Sequence, residues 1–214
     1  TKYTHLNMNL LLTDVLMFSG MLAIIIYALH VVIGGIKWKG YSHLHQPISD
    51  LTATGAPNRT LMLSLTNIYG LLALLFAVSF TILKSMEHNS LVLWGGVNFI
   101  VLHLVSVLYP LFPQDLPGTE TTFRGKMHLV ITALIVPFTI STPFLIGFGF
   151  LSEPHWQAFG LYSIITGILI LIFGGTTAIF YAKKIPYFGL VERLNIGALQ
   201  VWTFVFSLEL VLVK

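Results

Sequence analysis

Six separate stretches of this chain are each long and apolar enough to cross a lipid bilayer, running over about residues 10–36, 61–83, 91–112, 128–151, 158–182 and 194–213. A transmembrane helix needs about 20 mainly apolar residues, because the hydrocarbon layer is about 30 Å thick and a helix rises 1.5 Å per residue. Backbone polar groups find no water in lipid, so continuous apolar runs of this length are expected to be helices. A transmembrane barrel would show alternating rather than continuous apolarity. The first segment is too long for a removed signal peptide and lacks a small-residue cleavage site. The expectation is an all-α, polytopic membrane protein, with residues 1–214 forming one bundle of six transmembrane helices.

Composition excludes most alternatives. Only 9% of the 214 residues are charged and 56% are hydrophobic, with a mean hydropathy of +0.86. A water-soluble surface needs about 25% charged residues. The net charge of +3 reflects few basic residues, not a cationic face, so nucleic acid is not an expected partner. The chain has no Cys, which removes thiol catalysis, disulfides, iron–sulfur clusters and thiolate metal sites.

The basic residues flanking the spans are asymmetric. Lys37, Lys39, Arg59, Arg124, Lys126, Lys183, Lys184 and Arg193 follow the odd-numbered spans, against Lys2, Lys84 and Lys214 on the other side. By the positive-inside rule the long loops are expected in the cytoplasm and both termini outside, in a multi-pass protein of the cell membrane. These loops, 37–60, 113–127 and 183–193, are also the polar ones. A short echo links Gln46-Pro47-Ile48-Ser49-Asp50-Leu51 with Phe112-Pro113-Gln114-Asp115-Leu116.

The string Tyr41-Ser42-His43-Leu44-His45-Gln46-Pro47-Ile48-Ser49-Asp50-Leu51, followed by Gly55-Ala56-Pro57-Asn58, resembles the opening signature of the membrane family called domain of unknown function 998. Phe112-Pro113-Gln114-Asp115, His128 and Gly189-Leu190-Val191-Glu192-Arg193 are similar to later elements of that family. The resemblance covers essentially the whole chain. It implies a six-helix integral membrane protein and brings no established activity.

Bundling is expected to bring His43, His45, Ser49, Asp50, Asp115, Arg124, His128, Glu192 and Arg193 together at one membrane interface. Polar groups there are costly unless paired or solvated. Four readings remain open. Asp50 with Arg124, and Asp115 with Arg193, are candidate ion pairs that merely pin loops, and Ser49 or Asp50 is a candidate cap of a short helix. His43, His45 and His128, with Asp50 or Asp115, are a candidate zinc set. Ser49, His128 and an acid are a candidate catalytic group for a membrane-embedded hydrolase or lipid-modifying enzyme, with His128 and Asp115 as alternative proton carriers. Arg124, Lys126 and Arg193 are candidate phosphate ligands for a lipid headgroup, with Glu192, His45 and Asn67 as further binding residues.

Within the spans His103 is the group of most interest, expected to be hydrogen-bonded across helices to Asn67 or Gln200. Gly34-Gly35, Gly95-Gly96 and Gly174-Gly175 are expected at close helix contacts, and Pro137 and Pro143 are expected to kink the fourth helix. The favoured function is binding, with or without modification, of a membrane lipid or other amphiphile. The alternatives are a small transporter or channel with a polar path at His103 and Asn67, and a non-catalytic scaffold. The first needs a groove near Asp50 and His128, the second a polar cavity reaching His103, the third neither.

Overall fold

The structure, a computed structural model, describes residues 2–83 and 85–212, with the side chains of residues 2–11 and 86 left undescribed. Six helices follow one another: α1 (Lys2–Lys37), α2 (Arg59–Leu83), α3 (Ser90–Ser106), α4 (Phe123–Phe150), α5 (Gln157–Lys183) and α6 (Phe188–Leu212), with no strand among the described residues. All six are long and apolar enough to cross a membrane. Each packs on its chain neighbours, and α1 also packs on α6, so the six close into a ring.

The lipid-facing surface is read directly from helical periodicity. On α1, Val15, Phe18, Leu22, Ile25, Leu29, Val32 and Ile36 recur every three to four residues and are all exposed. The opposite face enters the ring. In the half nearer the termini the interior is aromatic: Phe206 meets the rings of Phe76, Phe80, Phe150, Phe159 and Trp202 at centroid separations of 4.6–6.3 Å. Trp202 also satisfies its indole N–H, donating to Ser163 Oγ at 2.8 Å. That half is a packed aromatic plug.

Two helices start about a turn or more before the apolar runs that announce them. α4 starts at Phe123 rather than at about 128, because Thr122 accepts from the Gly125 N–H and caps it. α6 starts at Phe188 rather than at about 194, which places Glu192 and Arg193 on a helix instead of in a loop. α3 ends at Ser106, and a 3₁₀ turn over Tyr109–Leu111 completes its span. Hydropathy marks where side chains leave lipid. The backbone keeps its hydrogen bonds for another turn.

The glycine expectation holds at two of three pairs. A Cβ on Gly95 would lie 2.5 Å from Ile146 of α4, and one on Gly34 would lie 2.8 Å from Met62 of α2. At Gly174 the nearest atom, on Asn195, is 3.5 Å away and at Gly175 nothing lies within 4 Å, so that pair marks no tight contact. α4 runs through Pro137 and Pro143; Asn98 on α3 donates to the Phe138 carbonyl and to the hydroxyls of Ser141 and Thr142 in that region. Asn98 thus ties α3 to the stretch of α4 between its two prolines.

Candidate functional site

The loop after α1 folds back over the end of the bundle. Ser42 N donates to Gln46 Oε1 at 2.9 Å and Gln46 N to Ser42 O at 2.8 Å, closing a compact turn. Pro47, extended, then leads into a 3₁₀ turn over Ile48–Thr52. Ser49 and Asp50 lie inside that turn and do not cap it; Pro47 occupies the cap position and makes no side-chain cap bond.

The start of α6 holds this loop in place. Leu190 N donates to Leu44 O at 3.0 Å, and Ile48 N donates to Glu192 Oε2 at 2.7 Å. Arg193 donates through Nη1 to the carbonyls of Gln46 and Gly189, both at 2.8 Å, and through Nη2 to Tyr41 Oη at 2.6 Å. Tyr41 in turn donates to the Pro47 carbonyl at 2.7 Å. Burial pushes that phenol up to about 12, against the opposing pull of Arg193, so its proton stays in place. Gly189 makes the approach feasible, since a Cβ there would lie 2.3 Å from Gln46 O.

Asp50 is the centre of the arrangement and is 0% exposed. It accepts from Gln114 Nε2 at 3.0 Å and, at 3.5 Å, from Gln46 Nε2. Ser49 Oγ donates to Gln114 Oε1 at 2.5 Å, so Gln114 ties the second loop to the first. Arg193 bonds neutral oxygens only, among the described residues, although Asp50 and Glu192 both lie within its electrostatic reach. Burial lifts the Asp50 carboxyl from 3.8 to about 6, with Gln46, Arg193 and Gln114 pulling the other way.

This carries a pH prediction. The folded state holds the Asp50 proton more tightly than the unfolded chain, so its contribution is complete below 3.8 and is lost as pH rises to about 6. At about 1.4 kcal/mol per pH unit the loss is up to about 3 kcal/mol. Thermal unfolding of the detergent-solubilised protein across this interval is expected to show the decline, and Asp50→Asn to reduce it.

The expected single chamber is only partly assembled. Asp50, Glu192 and Arg193 come together, whereas the ion pairs Asp50–Arg124 and Asp115–Arg193 do not form. Asp115 instead accepts from Thr122 N and Thr122 Oγ1, both at 2.8 Å, and so secures the start of α4. Arg124 is exposed and lines a separate cavity of about 400 Å³ with Thr54, Asp115, Leu116, Thr119, Glu120 and Thr122. His128 Nδ1 bonds the Phe112 carbonyl at 2.9 Å, away from Ser49, so no Ser–His pair exists. Asn67 is exposed on the outer side of α2 and does not reach His103.

Nor is the zinc set assembled. His43 packs edge-on against Tyr41, and His45 Nδ1 bonds Ser42 Oγ at 2.9 Å while its ring lies against Tyr187. Among the described residues no three His, Asp or Glu side chains stand close enough to hold a metal ion. Two His spaced for an extended strand point together only if the segment is extended, and here it is a turn.

Sequence reasoning missed Gln46 and Gln114 as the partners of Asp50. Their signal was the echo between the two loops, in which each Gln stands beside a proline. The echo does not make the acids equivalent: one is sealed under a loop and the other accepts from Thr122, the residue that caps α4.

The chain matches, over residues 21–209, the model of a family described as protein of unknown function (DUF998). No curated protein and no solved structure matches it.

Proposed function

The chain belongs to that family of proteins of unknown function, and from this premise we propose that it is a multi-pass membrane protein that binds an amphiphile at its loop end. The polar head enters the cavity at Arg124 and the apolar part lies along the outside of α4. The loop end faces the cytoplasm of a cell-membrane protein on this reading, as the distribution of basic residues supports.

The observation that carries the reading is the cavity itself. It is an open depression at the surface, with Thr54, Thr119, Glu120, Thr122 and Arg124 all exposed, and its volume of about 400 Å³ admits a headgroup. It holds both signs of charge, Arg124 against Glu120 and Asp115, with the hydroxyl-bearing residues Thr54, Thr119 and Thr122 alongside. Phe123, between Thr122 and Arg124 in the chain, is 72% exposed where α4 enters the apolar layer. A dipolar headgroup fits this lining: its anionic group meets the guanidinium and its cationic group a carboxylate. Recognition is favoured over modification, because Ser49 and His128 are bonded elsewhere.

The test is retention of phospholipid by the purified protein, read by native mass spectrometry after exchange through bilayer discs of phosphatidylethanolamine or of phosphatidylglycerol. The zwitterionic lipid is expected to be retained preferentially, and Arg124→Gln and Glu120→Gln each to reduce that retention severalfold without changing the unfolding temperature. Equal retention of both lipids by all three proteins would refute the reading.

A further inference from the structure

The interior of the bundle changes character partway through the membrane. Below the aromatic plug, four rings form a row across three helices: His30 and Tyr27 on α1 with centroids 6.0 Å apart, Tyr27 and Tyr69 of α2 at 4.9 Å, and Tyr69 and His103 of α3 at 6.4 Å. Gln200 on α6 donates to Tyr69 Oη at 2.8 Å. Phe99 lies 4.7 Å from His103 and closes the row toward the plug. At the other end Tyr27 is within electrostatic reach of Glu192 and Arg193.

His30 is 2% exposed and His103 is 3% exposed, yet both ring nitrogens of each have no hydrogen-bond partner among the described residues. The Arg193 Nε, at the loop end of the row, is in the same condition. Buried polar atoms are almost always satisfied, and in a membrane bundle no bulk water does so. Two such rings on one row point to a polar guest.

There is room for one. Gly70 adjoins Tyr69 and lies on the stripe of α2 that continues through the buried Ala73 and Ala77. Farther along, a Cβ on Gly96 of α3 would lie 2.6 Å from Thr81 Oγ1 of α2, but a Cβ on Gly70 would meet nothing within 4 Å. The two helices touch near the plug, while Gly70, itself half-buried, has open space beside it.

The rings also select the chemistry. A neutral imidazole offers one N–H and one lone pair, so its guest must both accept and donate. A hydroxyl group does both. A metal ion is not favoured, since among the described residues the row offers two imidazoles and no third His, Asp or Glu stands close enough to complete a ligand set. We propose that His30, Tyr69 and His103 line an internal site at membrane depth for hydroxyl groups, supplied by water or by the hydroxyl-bearing end of an amphiphile. The site ends blindly at Phe99 and is not a through-path, and it stands independently of the cavity at Arg124.

Hydroxyl-radical footprinting of the full chain in bilayer discs, read by mass spectrometry, tests this. If water is the guest, His30 and His103 are oxidised severalfold faster than the comparably buried Phe80, Trp202 and Phe206, and the half-buried Tyr69 is oxidised as well. Gly70→Phe fills the space without removing a polar group, and it is expected to abolish that oxidation at Tyr69 and His103 while the exposed Tyr181 stays equally reactive. If an amphiphile is the guest, the rings are protected, and solvent extraction yields a hydroxylated lipid in stoichiometric amount that is missing from Gly70→Phe and His103→Leu. Protected rings with no such lipid would overturn the proposal, as would labelling that persists in Gly70→Phe. The wild-type footprint with the extraction decides the matter by itself if a variant does not fold.

Discussion

Replacing Arg193 with methionine is expected to destabilise the protein by about 2–4 kcal/mol, because a half-buried guanidinium that donates three hydrogen bonds is lost. Methionine retains the apolar stem but none of the donors that reach Gln46 O, Gly189 O and Tyr41 Oη. Two acids, Asp50 and Glu192, then remain close to one another with no cation between them. The sign for Asp50 follows: Arg193 holds its carboxyl down, so losing Arg193 raises it above about 6 and moves the pH-dependent loss of stability upward. Arg193→Lys is not expected to rescue, because an ammonium cannot span three acceptors laid out for a planar fork. Denaturant unfolding in detergent measures the first effect, and repeating it across pH measures the second. Wild-type stability in Arg193→Met would mean that the loop is held by other contacts.

Gly189→Ala is expected to lift the first loop off the bundle. The new methyl group would sit 2.3 Å from Gln46 O and 2.8 Å from His43 O. Both are backbone atoms, so no rotamer change relieves the clash and the loop must move as a unit. The bonds Leu190 N to Leu44 O and Ile48 N to Glu192 Oε2 go with it. Overpacking and lost hydrogen bonds together amount to about 2–4 kcal/mol. Limited proteolysis should cut residues 38–58 far faster in the variant, and the pH dependence due to Asp50 should shrink as that group becomes hydrated. Gly175→Ala is the control. Nothing lies within 4 Å of its Cβ, so it is expected to be neutral or to stabilise by up to about 1 kcal/mol through helix propensity. Equal protease resistance of the two variants would show that the close approach at Gly189 is not what seats the loop.

The six spans and the crowding of polar residues at one end were legible in the sequence. Crossing lipid is a property summed over about 20 consecutive residues, so it depends little on what surrounds them. Which polar group meets which was not legible. Asp50 and Asp115 stand in similar strings, yet one is sealed beneath Arg193 and Gln114 while the other accepts from Thr122. His43, His45 and His128 looked like one ligand set and found three unrelated partners. Glu192 and Arg193 passed for loop residues until α6 was seen to carry its first turn over them and direct them inward. Hydropathy is a one-dimensional quantity: it decided that this chain enters the membrane six times and where its charges must stay. The direction a side chain takes around its helix, and the neighbour it meets there, depend on how the ring closes, and only packing in three dimensions decided that.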